Sequence, residues 1–148
     1  MGAATSADPV LARRAAVVDI CQTATNTVID RVVSEASRAA NLFGISRDGA
    51  VRYGEGIRQT MPLTFEAMAL ADGSERDAQI ARLAAMVRGV SEQHHIPHIV
   101  ERGLVSIAVR IAREVVRRGA AARSFTPDEL EREFVSFADA LEGRLFSD

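Results

Sequence analysis

The sequence predicts an all-α fold: a single bundle of five to six helices. Three observations carry this. Leu130, Phe134, Phe137, Leu141 and Leu145 place an apolar residue every three or four positions, a buried stripe along one helix face. Helix-start signals recur along the chain, of which Thr126-Pro-Asp-Glu129 is the clearest, with a capping residue, proline at the first helical position and an acid at the third. No segment alternates with period two for long enough to form a strand. The expectation is at least ~60% helix and essentially no sheet, well above the ordinary helical share of about a third.

The first helix starts at Asp8-Pro9, a cap followed by proline. Val10, Val17, Cys21, Ala24, Val28, Val32 and Ala36 follow at helical spacing, which predicts one long helix to about Ala40. Asn41-Leu-Phe-Gly44 ends it, and Ser46-Arg-Asp-Gly49 can start another. Ala50 to Thr60 is a weak helix, because Gly54 and Gly56 each cost about 1 kcal/mol relative to alanine. Pro62 opens a short helix with Leu63, Phe65, Met68 and Leu70, ended near Gly73. Ser74-Glu-Arg-Asp77 reads as a near capping box for the next helix, which carries Ile80, Leu83, Ala84, Val87 and Val90. Pro97 begins the fifth, whose buried face holds Ile99, Val100, Leu104, Ile107, Ala108, Ile111 and Val115, with Gly119 as its stop. The expected core is Val28, Val32, Leu83, Val87, Leu104, Ile107, Ile111, Leu130, Phe134, Phe137 and Leu141.

The 148 residues are the length of one domain, read as a flexible N-terminus (1–8) and a single helical unit (9–148). Such a chain buries roughly 70% of its unfolded surface without a metal or disulfide. A net charge of −2 argues against a nucleic-acid binder, which carries a basic stripe. All 18 basic residues are arginine, which together with abundant alanine and valine points to a GC-rich, bacterial coding bias. Cys21 is the only cysteine, and it sits on an apolar stripe, so a buried inert thiol in a reducing compartment is expected. With no signal peptide and no apolar run near ~20 residues, the expected location is the cytoplasm.

Catalytic signatures are absent: there is no phosphate-binding glycine loop, zinc-protease motif or nucleophile elbow, and the chain is expected not to be an enzyme. His94, His95 and His98 form the only histidine cluster and are the sole candidates for a metal or haem. Their spacing suits neither well, because Pro97 interrupts the helix between them and no acidic or cysteine ligands accompany them, so no cofactor is expected. Arg110, Arg113, Arg117 and Arg118, and the acidic run Asp128, Glu129, Glu131 and Glu133, read as solvated helix ends that complement the dipole.

From Ala81 to Phe146 the chain resembles the last three helices of the globin superfamily. The matching features are Gly89-Val90, His95-Ile96-Pro97, the long apolar helix to Val116, and Phe125-Thr-Pro-Asp-Glu-Leu130 leading into the final helix. It is more similar still to the helical input domains of stressosome RsbR-type and PucR-type regulators. The residue at the globin proximal-histidine position is Val90 when aligned on Ile96-Pro97, or Ala85 when aligned on Gly89-Val90. The resemblance therefore implies a haem-free, non-catalytic sensory or protein-interaction domain of a bacterial regulator. The alternative is a protein that binds haem or a small apolar ligand. An effector domain behind the last helix, or a separate protein partner, would receive the signal. A homodimer is expected from helix one: about 30 residues span about 45 Å, against a radius of gyration near ~15 Å. The adjacent pairs Val17-Val18, Val28-Ile29 and Val32-Val33 also widen its apolar face beyond one seam.

Overall fold

The computed structural model describes residues 8–38 and 46–146. Among these, 89% are helical and none is in a strand, in line with the expected class. Six α-helices follow in order: α1 (Pro9–Thr23), α2 (Thr25–Arg38), α3 (Arg47–Ala69), α4 (Ser74–Gln93), α5 (His98–Ala120) and α6 (Pro127–Phe146), with a 3₁₀ turn at Ala121–Arg123. The flexible stretch expected at residues 1–8, except Asp8 itself, and the helix end expected at Asn41–Gly44 lie outside the described residues.

The single long first helix is instead two. Ala24 leaves the helical region (φ −97°, ψ 8°) between α1 and α2. The cause is local: the Thr25 hydroxyl donates to the Cys21 carbonyl at 2.9 Å, taking the acceptor that its own backbone N–H would use in a continuous helix. The bend removes the length argument for a two-fold contact. The adjacent apolar pairs are also covered within the chain: Val17 and Ile29 are buried, Val18 and Val33 pack against core clusters, and Val28 faces an internal cavity.

The two elements expected on either side of Pro62 are one helix. Ser46 caps it, accepting from Gly49 N–H at 3.0 Å, and Pro62 sits in its interior. Proline there costs a backbone hydrogen bond; two threonines brace the segment, Thr60 donating to Ile57 O at 2.6 Å and Thr64 to Thr60 O at 3.0 Å. The weak glycine-bearing stretch is helical because its glycines admit neighbours: a Cβ at Gly56 would stand 2.6 Å from Val90 Cγ1 of α4. Packing supplies what propensity withholds.

Helix ends show which local signals hold. Asp8 accepts from Val10 N–H at 2.9 Å, and Thr126 and Glu129 form the reciprocal capping box at 2.8 and 3.2 Å. Ser74 is not a cap, however: Gly73 holds that position and no side chain caps the helix. Gly119 is not a stop either. It lies within α5, where a Cβ would come 2.9 Å from Ile20 side-chain atoms, so it marks a close approach of α1 to α5. The turn that ends this segment uses Ser124 at φ +64°.

The core runs along the bundle. Helix α6 packs on α5, α4 and α1, while α3 packs on α4, α2 and α1. Val32, Leu83, Val87, Leu104, Ile111, Leu130, Phe134 and Phe137 are buried as expected. Val28, Ile107 and Leu141 are only partly buried, two of them because they face the cavity rather than close packing. Ile99, assigned to the buried face, is 80% exposed, whereas its neighbours Val100 and Glu101 in the same first turn of α5 are buried, so the face turned to the core is theirs. No helix among the described residues is long and apolar enough to cross a membrane.

Candidate functional site

An apolar cavity of about 160 Å³ lies in the middle of the bundle. Its walls come from α1 and α2 at their joint (Cys21, Thr25, Val28), from α3 around its proline (Thr60, Met61, Thr64), from α5 (Leu104, Val105, Ala108, Ala112) and from α6 (Phe134, Phe137, Leu141). Both helix irregularities therefore sit on this wall. Small residues on α5 and α6, Ala108, Ala112 and Ala138, leave the space that larger side chains would fill.

The polar atoms on the wall are few and already engaged. Thr60 and Thr64 each donate their hydroxyl proton to a backbone carbonyl of their own helix, and Thr25 of α2 donates to Cys21 O of α1. Burial pushes the Cys21 thiol up to about 12, so it stays protonated and unreactive near neutrality, as its place on the stripe suggested. Tyr53 contributes its ring, and burial with the charge of nearby Glu101 raises its hydroxyl above the usual phenol range. Glu101 is 1% exposed, and its Oε2 and the Ser91 Oγ have no protein hydrogen-bond partner. Neither Glu101 nor Ser91 lines the cavity. Sequence reading missed this buried carboxylate because Glu101 looks like an ordinary first-turn acid of α5.

The three histidines do not converge. His95 holds the left-handed position (φ +55°) that ends α4, where N–H groups of His95 and Ile96 return to Glu92 O and Ser91 O at 3.1 and 2.8 Å. His98 is exposed, 3.5 Å from Glu101 Oε1, with its ring 5.3 Å from that of Phe146. His94 is half-buried at the α4 terminus. No group of three potential metal ligands occurs among the described residues. None of the histidines lines the cavity, and the two proximal positions do not either: Ala85 is exposed and Val90 packs elsewhere in the core. A cavity of about 160 Å³ is also far smaller than a porphyrin ring requires. The residues present do not fit haem.

The arginine run and the acidic run prove to be partners rather than independent helix ends. Arg113 and Arg117 of α5 meet Glu131, and Arg117 also meets Asp128, of α6; Arg110 reaches Glu35 of α2, and Arg118 pairs with Glu114, which also takes Arg31. These arginines hold Asp128, Glu114 and Glu131 below the usual carboxylate range. Glu133 turns the other way, to Arg13 and the buried Arg14. A larger open groove of about 510 Å³ runs between α2 and α3, with walls that include Asp30, Arg38, Arg47 and Glu55.

The arrangement offers a partly open, almost wholly apolar volume, and among the described residues no group of three potential metal ligands. The sequence matches no family model, no curated protein and no solved structure.

Proposed function

We propose that this chain is a non-catalytic, globin-like sensory module of a bacterial regulator, and that its input is a small apolar molecule held in the central cavity. The observation that carries the reading is the cavity itself. An apolar cavity of about 150 Å³ stays dry and accepts benzene or xenon, and the volume here is about 160 Å³. Drug-sized pockets are larger, roughly 300–1,000 Å³, so the ligand is a molecule of benzene size. The resemblance of Ala81–Phe146 to haem-free input domains supports the same role.

A ligand transmits a signal only if it binds one packing arrangement better than another. Residues flanking the two helix irregularities line the cavity: Cys21 and Thr25 on either side of the α1–α2 joint at Ala24, and Met61 and Thr64 on either side of the α3 proline. The wall also contains Phe134, Phe137 and Leu141 of α6. Filling the cavity favours one seating of α6, and a protein partner or attached effector domain reads that helix.

Thermal unfolding with benzene tests this. At ten times the dissociation constant, binding adds about 1.4 kcal/mol, which raises Tm by about 3–6 °C for a domain of this size. Ala138→Leu, which fills the cavity from α6, should fold and abolish the shift. A wild-type Tm indifferent to saturating benzene would refute the proposal.

A further inference from the structure

We infer that the cavity selects a ligand with one hydrogen-bond donor on an otherwise apolar body: a small phenol or alcohol, seated on the hydroxyl oxygens of Thr60 and Thr64. The inference rests on the reading of the cavity as a ligand site and narrows its chemistry.

A threonine hydroxyl has one proton and two lone pairs. Thr60 is 2% exposed and spends its proton on Ile57 O at 2.6 Å; Thr64 is 9% exposed and spends its own on Thr60 O at 3.0 Å. Each oxygen is left with acceptor capacity and no donor. A hydroxyl rotated toward the ligand would give up its bond to the helix. Pro62, between the two threonines, has no N–H. Thr25 repeats the pattern on the facing wall, donating to Cys21 O. The Cys21 thiol is a weak donor, and the Tyr53 hydroxyl lies by Glu101 and Ser91, which are not part of the wall. The cavity is therefore apolar with acceptor-only polar points. A ligand carboxylate, carbonyl or ring nitrogen would face lone pairs and lose its water. A ligand hydroxyl would gain a partner. Both threonines are on α3 and flank its proline, so donor recognition falls on one of the two irregular segments through which the signal would pass.

Calorimetric titration of the whole chain with benzene, phenol and pyridine, all neutral at pH 7, tests this. The three have nearly the same ring volume and differ in carrying no polar group, a donor or only an acceptor. A net hydrogen bond favours phenol over benzene by roughly 2- to 12-fold. Pyridine, desolvated without a donor to meet it, should bind at least about tenfold more weakly than benzene. Thr60→Val/Thr64→Val keeps shape and removes both acceptors; it should leave benzene affinity within about twofold and weaken phenol by at least about tenfold. If benzene binds but phenol is rejected as strongly as pyridine, or if the double variant binds phenol as the wild type does, the donor inference fails while the cavity reading survives. If benzene itself does not bind, the cavity reading fails.

Discussion

Replacing Arg14 with methionine removes one of the two arginines, with Arg76, that are buried among the described residues, while keeping its aliphatic stem. Arg14 is 4% exposed and clasps three groups: Nη1 donates to Leu70 O at 2.6 Å, Nη2 to Asp72 at 2.8 Å, and Nε to Glu133 at 3.2 Å. The three are not equal. The Asp72 side chain is 82% exposed, so its pair is worth little, about 0–1 kcal/mol. Leu70 O keeps a second donor in Arg76 at 3.1 Å, and Glu133 keeps Arg13 at 3.0 Å. Neither is orphaned, so the loss falls short of the 3–5 kcal/mol typical of a broken buried pair. One charge-assisted bond to a largely buried carboxylate and part of a carbonyl bond remain to be lost, about 2–4 kcal/mol. Urea unfolding should show a lower midpoint with an unchanged slope, and Asp72→Asn should cost under about 1 kcal/mol. A loss below about 1 kcal/mol for Arg14→Met, or a gain, would mean that the cost of desolvating the guanidinium cancels its bonds and would refute the clasp argument.

Phe134→Ala and Phe137→Ala should each cost about 3–5 kcal/mol in the same assay, because both rings are nearly fully buried on the cavity wall; losses below about 1 kcal/mol at both would mean that α6 does not face the core. Alkaline unfolding should show the Cys21 thiol. Its folded value is pushed up to about 12 against an ordinary 9.0, so the unfolded chain releases this proton first. Its contribution is then complete below about pH 9 and declines as pH rises toward the folded value. Tyr53, also raised, acts with the same sign. Cys21→Ala should flatten the fall in stability above pH 9, and an unchanged slope would contradict the burial of the thiol.

What could be read from the sequence was what is decided within a few residues of the chain. The Thr126–Glu129 box and the Asp8-Pro9 start form as expected because cap, proline and acceptor lie within one helical turn. The stripe on α6 is legible because helical periodicity places Leu130, Phe134 and Phe137 on one side whatever that side meets. Where neighbours decide, the sequence points elsewhere. Gly119 has the look of a stop and is a contact with Ile20; Gly56 has the look of a weak point and is a seat for Val90; Pro62 has the look of a start and lies mid-helix, in a helix whose Thr60, Thr64, Ala67 and Met68 are buried. Thr25 breaks the first helix although the apolar pattern passes through it unbroken, since a hydroxyl returning to a carbonyl leaves hydrophobic spacing untouched. Arg14 and Glu101 are buried because loops and helices distant in sequence close over them. The histidines are near neighbours in sequence yet scatter in space, since the end of α4 and the start of α5 turn them apart. The cavity is the extreme case. It is space left by six helices packed together, bounded by residues from Cys21 to Leu145, and an unfilled volume has no residue of its own to announce it.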